Sequence, residues 1–377
     1  MIKNIVIVDW EPLSPRRVKI FCINELINAG FNVQHVYISP IMNMSYDVPD
    51  RIISKNEFLC KTLFDLENVL QSYLVEETFV FIEFFYSQWK YRKIRKIISE
   101  LHFATVRFER FGNTSLCDES GTMDRIRKLI YPSKVWNFFL NHICLKIYNR
   151  INKINNVDFF FNSGEKNFSN VKINHPDYDD FLRYKRSNSN VSIFPKNSYI
   201  VFIDTFFGRH PDEKNIYGAF LGDNLLWQEK LCKYFALVEQ KFGVEVVIAA
   251  HPKSDYANNE WGGRKIIKNK TLDLISNSLF VLQDISTSIA YSILCEKKVY
   301  MIATDEFYLV YKLQIDNLRK KLNLPFCRVE NNDLSEYFNQ EYFFDKFNEY
   351  KYSYLTSHEI EDKLTSDILI DWLKKIV

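Results

Sequence analysis

Three of the chain's seven histidines stand directly before proline, at His175-Pro176, His210-Pro211 and His251-Pro252. Proline fixes its own φ and keeps the preceding residue out of the helical region, so each imidazole is presented at a set angle. The third pair ends the run Val244–Ala250, six of whose seven residues are apolar, and Lys253 follows at once. An imidazole and an ammonium at the tip of a buried strand suit a phosphate or pyrophosphate. About 35 residues further on, a second apolar run, Leu279–Leu282, leads through Asp284 into Ser286-Thr287-Ser288 and a helical pattern. The free N–H groups and partial positive charge of a helix start bind anions, and the hydroxyls add donors. Capping alone would account for serines at a helix start. A His-Pro strand tip followed by a strand, a Ser-x-Ser and a helix is more specific than either part.

These residues need strands to carry them. Asn4–Asp9, Phe31–Ile38, Thr78–Phe84, Phe103–Phe108 and Val157–Phe161 read as strands. Between them the helical period predicts Ser14–Asn28, Thr62–Leu74, Trp89–Leu101 and Asp124–Arg150. Ser14 is the N-cap of the first, Pro15 its first residue, and Gly30 lies just past its end. From Val171 to Asn197 the pattern fails, and the polar stretch reads as a connection in which His175-Pro176 is a turn.

The alternation then resumes with strands at Ser198–Ile203, Val244–Ala250, Arg264–Ile267, Leu279–Gln283 and Lys298–Ile302. Helices are expected at Asn224–Lys241, Thr271–Ser276, Ser286–Leu294 and Asp305–Leu322, and a last one, Ile360–Ile376, has no place in a second sheet. The expected class is α/β, with two Rossmann-like domains facing across a cleft and the C-terminal helix crossing back to the first domain. The bounds are 1–185 for the first domain, 186–197 for the linker, 198–355 for the second domain and 356–377 for the helix. Ligands of such sheets bind beyond the carboxyl ends of the strands, here in the cleft.

Bulk properties narrow the class further. A chain of 377 residues exceeds one ordinary core, and 47% apolar with 25% charged residues is a globular composition. Seven scattered cysteines without a CxxC argue against a disulfide framework and for a reducing, cytoplasmic compartment. The N-terminus lacks the apolar region of a signal peptide, and no apolar run approaches a membrane span. No cluster has metal-ligand spacing, and neither a GxGxxG after the first strand nor a Walker loop is present, so no metal, NAD or ATP chemistry is expected.

The segment Ala249-Ala-His-Pro-Lys-Ser-Asp-Tyr256, the stretch Thr271–Ile302 and the two-domain layout resemble bacterial surface-polysaccharide glycosyltransferases of the GT-B type. They are similar to sialyltransferase-like families that use CMP-sugars, and to teichoic-acid polymerases. The resemblance is strong in the C-terminal half and one of layout only in the N-terminal half. It implies that His251, Pro252, Ser286, Thr287 and Ser288 hold the phosphate of a nucleotide-activated donor, with Lys253 beside them. It also implies that the loop after Ile203, with Asp204, Arg209 and His210, lies under the donor. The expected reaction is metal-independent and inverting, with the nucleotide-sugar as substrate and no cofactor.

Such a transfer needs a base to deprotonate the acceptor hydroxyl. The resembling families draw it from a short acidic motif ending in glycine, from which this chain departs. The candidates, in order, are Glu109 in Val-Arg-Phe-Glu-Arg, Asp118 and Glu119 in Cys-Asp-Glu-Ser-Gly, and Glu11 after the first strand.

Between Lys90 and Lys153 fourteen Lys/Arg face five Asp/Glu, a local +9 in a chain of net +2. With Trp89, Ile94, Ile97 and Ile98 among the cations, this segment suggests contact with an anionic inner-membrane surface, where a glycan or lipid-linked glycan acceptor would be met. No nucleic-acid reader motif is present. UDP- or GDP-sugar transfer, polyol-phosphate transfer or epimerisation on the same scaffold, and non-catalytic sugar-nucleotide binding are the alternatives.

Overall fold

The computed structural model describes residues 2–44, 50–83, 88–110, 136, 139–154, 157–166, 168–187, 192–217, 219–257, 259–331, 334–340, 342 and 344–376. The first sheet contains β1 (Asn4–Asp9), β2 (Asn32–Tyr37), β3 (Glu57–Leu59), β4 (Thr78–Glu83), β5 (Ala104–Glu109), β6 (Phe159–Ser163) and β7 (Val171–Ile173), in the order β3-β2-β1-β4-β5-β6-β7. The second contains β8 (Tyr199–Ile203), β9 (Glu245–Ala250), β10 (Ile266–Lys268), β11 (Val281–Gln283), β12 (Val299–Ala303) and β13 (Phe326–Arg328), in the order β10-β9-β8-β11-β12-β13. All the pairings are parallel.

Burial follows the strand period. Ile5, Ile7, Phe79 and Phe81 enter one core, while Val6, Val8, Val80 and Ile82 enter another on the opposite face of the first sheet. The second sheet has its own core around Phe202, Trp227, Val247 and Ile248. In each sheet the strand order reverses beside the first strand of that half, which opens a crevice at the carboxyl ends. In the second sheet the consequence is specific. β9, β8 and β11 are neighbours, so the loops carrying His251, Asp204 and Ser286 emerge side by side.

The last helix, Thr365–Lys375, leaves the second domain and packs on the first. Leu369 and Leu373 are fully buried in the first sheet's core, and the Trp372 ring lies 4.8 Å from Phe161 and 5.1 Å from Phe79. The Asp179 carboxylate accepts the N–H of Thr365 at 3.0 Å and pins the start of that helix. Leu373→Ala should therefore destabilise the chain by about 2–5 kcal/mol through the cavity it leaves. Urea unfolding checks this, and a midpoint unchanged from wild type would detach the helix from the core.

Several elements differ from the sequence expectation. The first helix is broken in two, Pro15–Ile20 and Ile23–Asn28, because Cys22 takes a left-handed conformation at φ 54°. The stretch read as a connection holds β7 and a regular helix, Pro176–Arg186, whose Tyr178, Phe181 and Leu182 join the second core. Its signals were present: proline at the first position, Asp177 and Asp179 in the first turn, and Arg183, Lys185 and Arg186 in the last. The strands β3 and β13 were not expected, and the helix Pro211–Tyr217 realises the alternative in which Pro211 orders the loop and Asp212 starts a helix. Three-residue strands carry too little alternation to register.

The basic helix Arg92–Glu100 buries Ile94 and Ile98 in its own domain. Its apolar stripe is thus core, and only its charged face is left for an external surface. Most of the basic stretch between Phe111 and Phe138 lies outside the described residues. Among the described residues no helix is long and apolar enough to cross a membrane.

Candidate functional site

A cavity of about 810 Å³ lies between the two halves. The first domain lines it with Pro15, Arg16, Lys19 and Arg110, and the second with Asp204, His210, His251, Pro252 and Ser286–Ser288. Asp204, at the tip of β8, is the anchor of this wall. Its buried carboxylate accepts the N–H of Phe206 at 2.8 Å, the N–H of His251 at 3.0 Å and the Tyr256 hydroxyl at 3.1 Å. Burial pushes its pKa up to about 6 against those hydrogen bonds. Asp284, at the tip of β11, does the same for the next loop, accepting the Thr205 hydroxyl at 2.8 Å and the Ile285 N–H at 2.6 Å.

The three His-Pro pairs are one local device. In each, the imidazole Nδ1 accepts the main-chain N–H two residues on, from Asp177, Asp212 and Lys253, always at 3.1 Å. With Nδ1 an acceptor, the proton of each neutral ring belongs on Nε2. For His210 and His251 these Nε2 atoms lie 3.3 Å apart, with the rings edge to face at 4.6 Å. Two N–H donors at one place satisfy an oxygen better than they satisfy each other. Burial, assisted by Lys253 and Arg16, lowers the His210 pKa to about 4 despite Asp212, and holds His251 well below its usual value. Both rings are therefore neutral hydrogen-bond donors near pH 7.

His175 is the third member. It is fully buried as the N-cap of Pro176–Arg186, and burial lowers its pKa to about 3. The pair is not a turn but the start of a regular helix, and Pro176 and Asp177 line the cavity. A histidine whose folded pKa lies below the unfolded value near 6.5 stabilises the fold fully above that pH. The contribution is lost as pH falls from about 6.5 towards 3, at about 1.4 kcal/mol per pH unit for one proton. His175→Gln should flatten the loss of stability over that window by about this slope; urea titrations with a wild-type slope would show that His175 titrates normally.

Two residues expected at the phosphate are engaged elsewhere. The Lys253 ammonium sits 3.3 Å from Glu11 Oε1 and 3.1 Å from Asp212 Oδ1, and does not line the cavity. Arg209 pairs with Asp255 and Glu260 and lies over the Phe206 and Tyr256 rings, outside the cavity wall. Ser286, Thr287 and Ser288 do line the cavity, but the helix begins only at Ile289, and Ser286 Oγ accepts the Ser288 N–H at 3.3 Å. The hydroxyls thus belong to a turn ahead of a short helix.

The base candidates separate. Glu109 ends β5 with Arg107 at 3.0 Å and does not line the cavity. Glu11 is buried; Arg17, Lys253 and Arg16 overcome the effect of burial and hold its pKa at about 2. A carboxylate so stabilised is a weak proton acceptor. Asp118 and Glu119 lie outside the described residues. The cavity offers another carboxylate that the sequence reading passed over. Asp177 lines it, and burial with the nearby Asp180 pushes its pKa up to about 7. Its signal was the acidic first turn after His175-Pro176. The aromatic wall of Phe207, Phe307 and Tyr311, with rings 4.8–6.0 Å apart, was also not foreseen.

No family model matches the chain, and no curated protein matches it. Among solved structures it is similar to Arabidopsis thaliana UGT89C1 complexed with UDP, at 10% identity over 99% of this chain and 100% of that one, with a TM-score of 0.50. The wall teichoic acid polymerase TagF, as its H548A variant, matches at 11% identity over 99% and 89%, TM-score 0.49. The UDP-GlcNAc 2-epimerase of Methanocaldococcus jannaschii, in complex with UDP-GlcNAc and UDP, matches at 11% over the whole of both chains, TM-score 0.45. At such identities the likeness is one of fold: two Rossmann-like domains facing across a cleft, the GT-B arrangement.

Proposed function

We propose that the chain is a glycosyltransferase that moves a sugar from a nucleotide donor to a hydroxyl of a glycan acceptor. The observation that carries this reading is the meeting of His210 and His251, Nε2 to Nε2 at 3.3 Å, beside Ser286–Ser288 in the interdomain cavity. Two neutral N–H donors and nearby hydroxyls suit the phosphate oxygens of a departing nucleotide. Asp204 holds the His251 loop and Asp284 the turn into Ser286 before substrate arrives, so little reorganisation is needed as charge develops. An acceptor hydroxyl attacks the anomeric carbon, the glycosidic oxygen leaves on the phosphate, and a carboxylate takes the hydroxyl proton. Asp177 is the described carboxylate that fits this part, because it lines the cavity and titrates near neutrality.

The resemblance of the His-Pro and Ser-x-Ser segments favours a CMP-sugar and a surface-glycan acceptor. The UDP held by UGT89C1 supports UDP as the second reading. Contact with an anionic membrane would use the charged face of Arg92–Glu100 and would weaken with salt. The reading requires neither metal nor cofactor. A thermal-shift panel of CMP, CDP, UDP and GDP tests it. One nucleotide should raise the midpoint by several degrees at a concentration about a hundredfold above its Kd. No shift with any of the four would remove the donor site.

A further inference from the structure

The nucleotide-donor reading leaves a charge unbalanced. His210 and His251 are neutral donors, and Lys253 is already shared by Glu11 and Asp212. The His-Pro loops therefore bring hydrogen bonds to a phosphate but little positive charge. Among the cations lining the cavity, Lys19 pairs with Asp180, Arg110 with Glu83, and Arg183 with Glu25 and Asp180. Arg16 and Lys270 are left, and neither has an ion-pair partner among the described residues.

Arg16 and its neighbour Arg17 have opposite fates. Arg17 is buried, 3.3 Å from Asp9 and 3.2 Å from Glu11, and Glu83 lies 3.6 Å away. Arg16, one residue earlier on the same short helix, is exposed on the cavity wall. Its charge is felt by Glu11, His175, Asp177, His210 and His251, residues from both sides of the cleft. Arg17 is thus occupied in holding the loop after β1, while Arg16 shares the cavity wall with the two His-Pro loops. A guanidinium here can grip two oxygens of one phosphate in a fork.

We propose that Arg16 is an anion-binding residue, supplied by the first domain, that meets the substrate's phosphate opposite His210 and His251 and so makes an anionic ligand bridge the two domains. The inference rests on the nucleotide-donor reading for the identity of the ligand, but not for the existence of an anion site. The test is calorimetry on the full chain with three ligands: the nucleotide that stabilises wild type, its nucleoside, and inorganic pyrophosphate. Arg16→Met should weaken nucleotide and pyrophosphate by about ten- to a hundredfold, the range of a hydrogen bond to a charged group. Nucleoside affinity should not change, and Arg16→Lys should fall in between. Arg16 is exposed, so an unchanged melting temperature of the free variant confirms an intact fold. Wild-type affinity for both anions in Arg16→Met overturns the inference, as does finding the loss in Lys270→Met instead. Pyrophosphate bound through Arg16 with no nucleotide bound leaves the anion site and removes the donor reading. A wild-type chain that binds none of the three ligands overturns both.

Discussion

His251→Ala is expected to lower turnover by about 10²–10³-fold, the range for loss of one preorganised hydrogen-bond donor, and to leave the fold intact. The main-chain N–H that Asp204 accepts at 3.0 Å survives the substitution, so the anchor of the loop is kept. What is lost is Nε2, the partner of His210 at 3.3 Å, together with the Nδ1 acceptor for the Lys253 N–H. His251→Asn separates these two. An asparagine side-chain oxygen can accept the N–H two residues on, as in an Asx turn, but places no donor where Nε2 was. It should therefore hold the loop and stay inactive. Recovery of activity in the asparagine variant would make His251 a loop-builder and move the phosphate donor elsewhere. The measurement is kcat with the preferred donor, alongside circular dichroism and the melting temperature.

Lys253→Met should cost about 3–5 kcal/mol of stability, because it takes a buried ammonium from the buried Glu11 carboxylate. Glu11 and Lys253 are both nearly buried, and the lysine bridges Glu11 of the first domain to Asp212 beside His210. Removing the ammonium leaves Glu11 with Arg17 alone and frees the two His-Pro loops from each other. Glu11→Gln in the same chain should restore part of the loss, since it removes one stranded charge. Denaturant midpoints of the wild type, the two single variants and the double variant give the coupling directly. Strictly additive losses would mean that the bridge contributes nothing. Activity should fall as well, because the Nε2–Nε2 meeting depends on both loops.

Much of the second domain could be read from residue order. Apolar runs that break into His251 and Ser286 mark strand tips, and a βα alternation implies parallel strands. The placement of β9, β8 and β11 as neighbours then follows the usual crossover pattern. The helix Pro176–Arg186 was hidden by its polarity, yet its proline, its charge bias and its Tyr178, Phe181 and Leu182 spacing were legible. The part of Lys253 was not legible at all. Its partner Glu11 lies 242 residues away, and only the closing of the two sheets brings them together. Arg16 and Arg17 look interchangeable in sequence, and their division between cavity and core depends on which side of a six-residue helix each faces. Glu109 illustrates the converse. A carboxylate at a strand tip met the sequence criterion, but its side chain pairs with Arg107 away from the cavity, while the next residue, Arg110, lines it.

The most direct test is to incubate the purified chain with CMP-, UDP- and GDP-sugars and follow nucleotide release by mass spectrometry. One donor class should be consumed, with one nucleotide released per sugar transferred to an added glycan acceptor or, more slowly, to water. His251→Ala should slow that release by about a hundredfold or more, the loss expected for kcat. Donors that all stay intact under conditions where the chain is folded and binds nucleotide would contradict sugar transfer and leave a binding protein in its place.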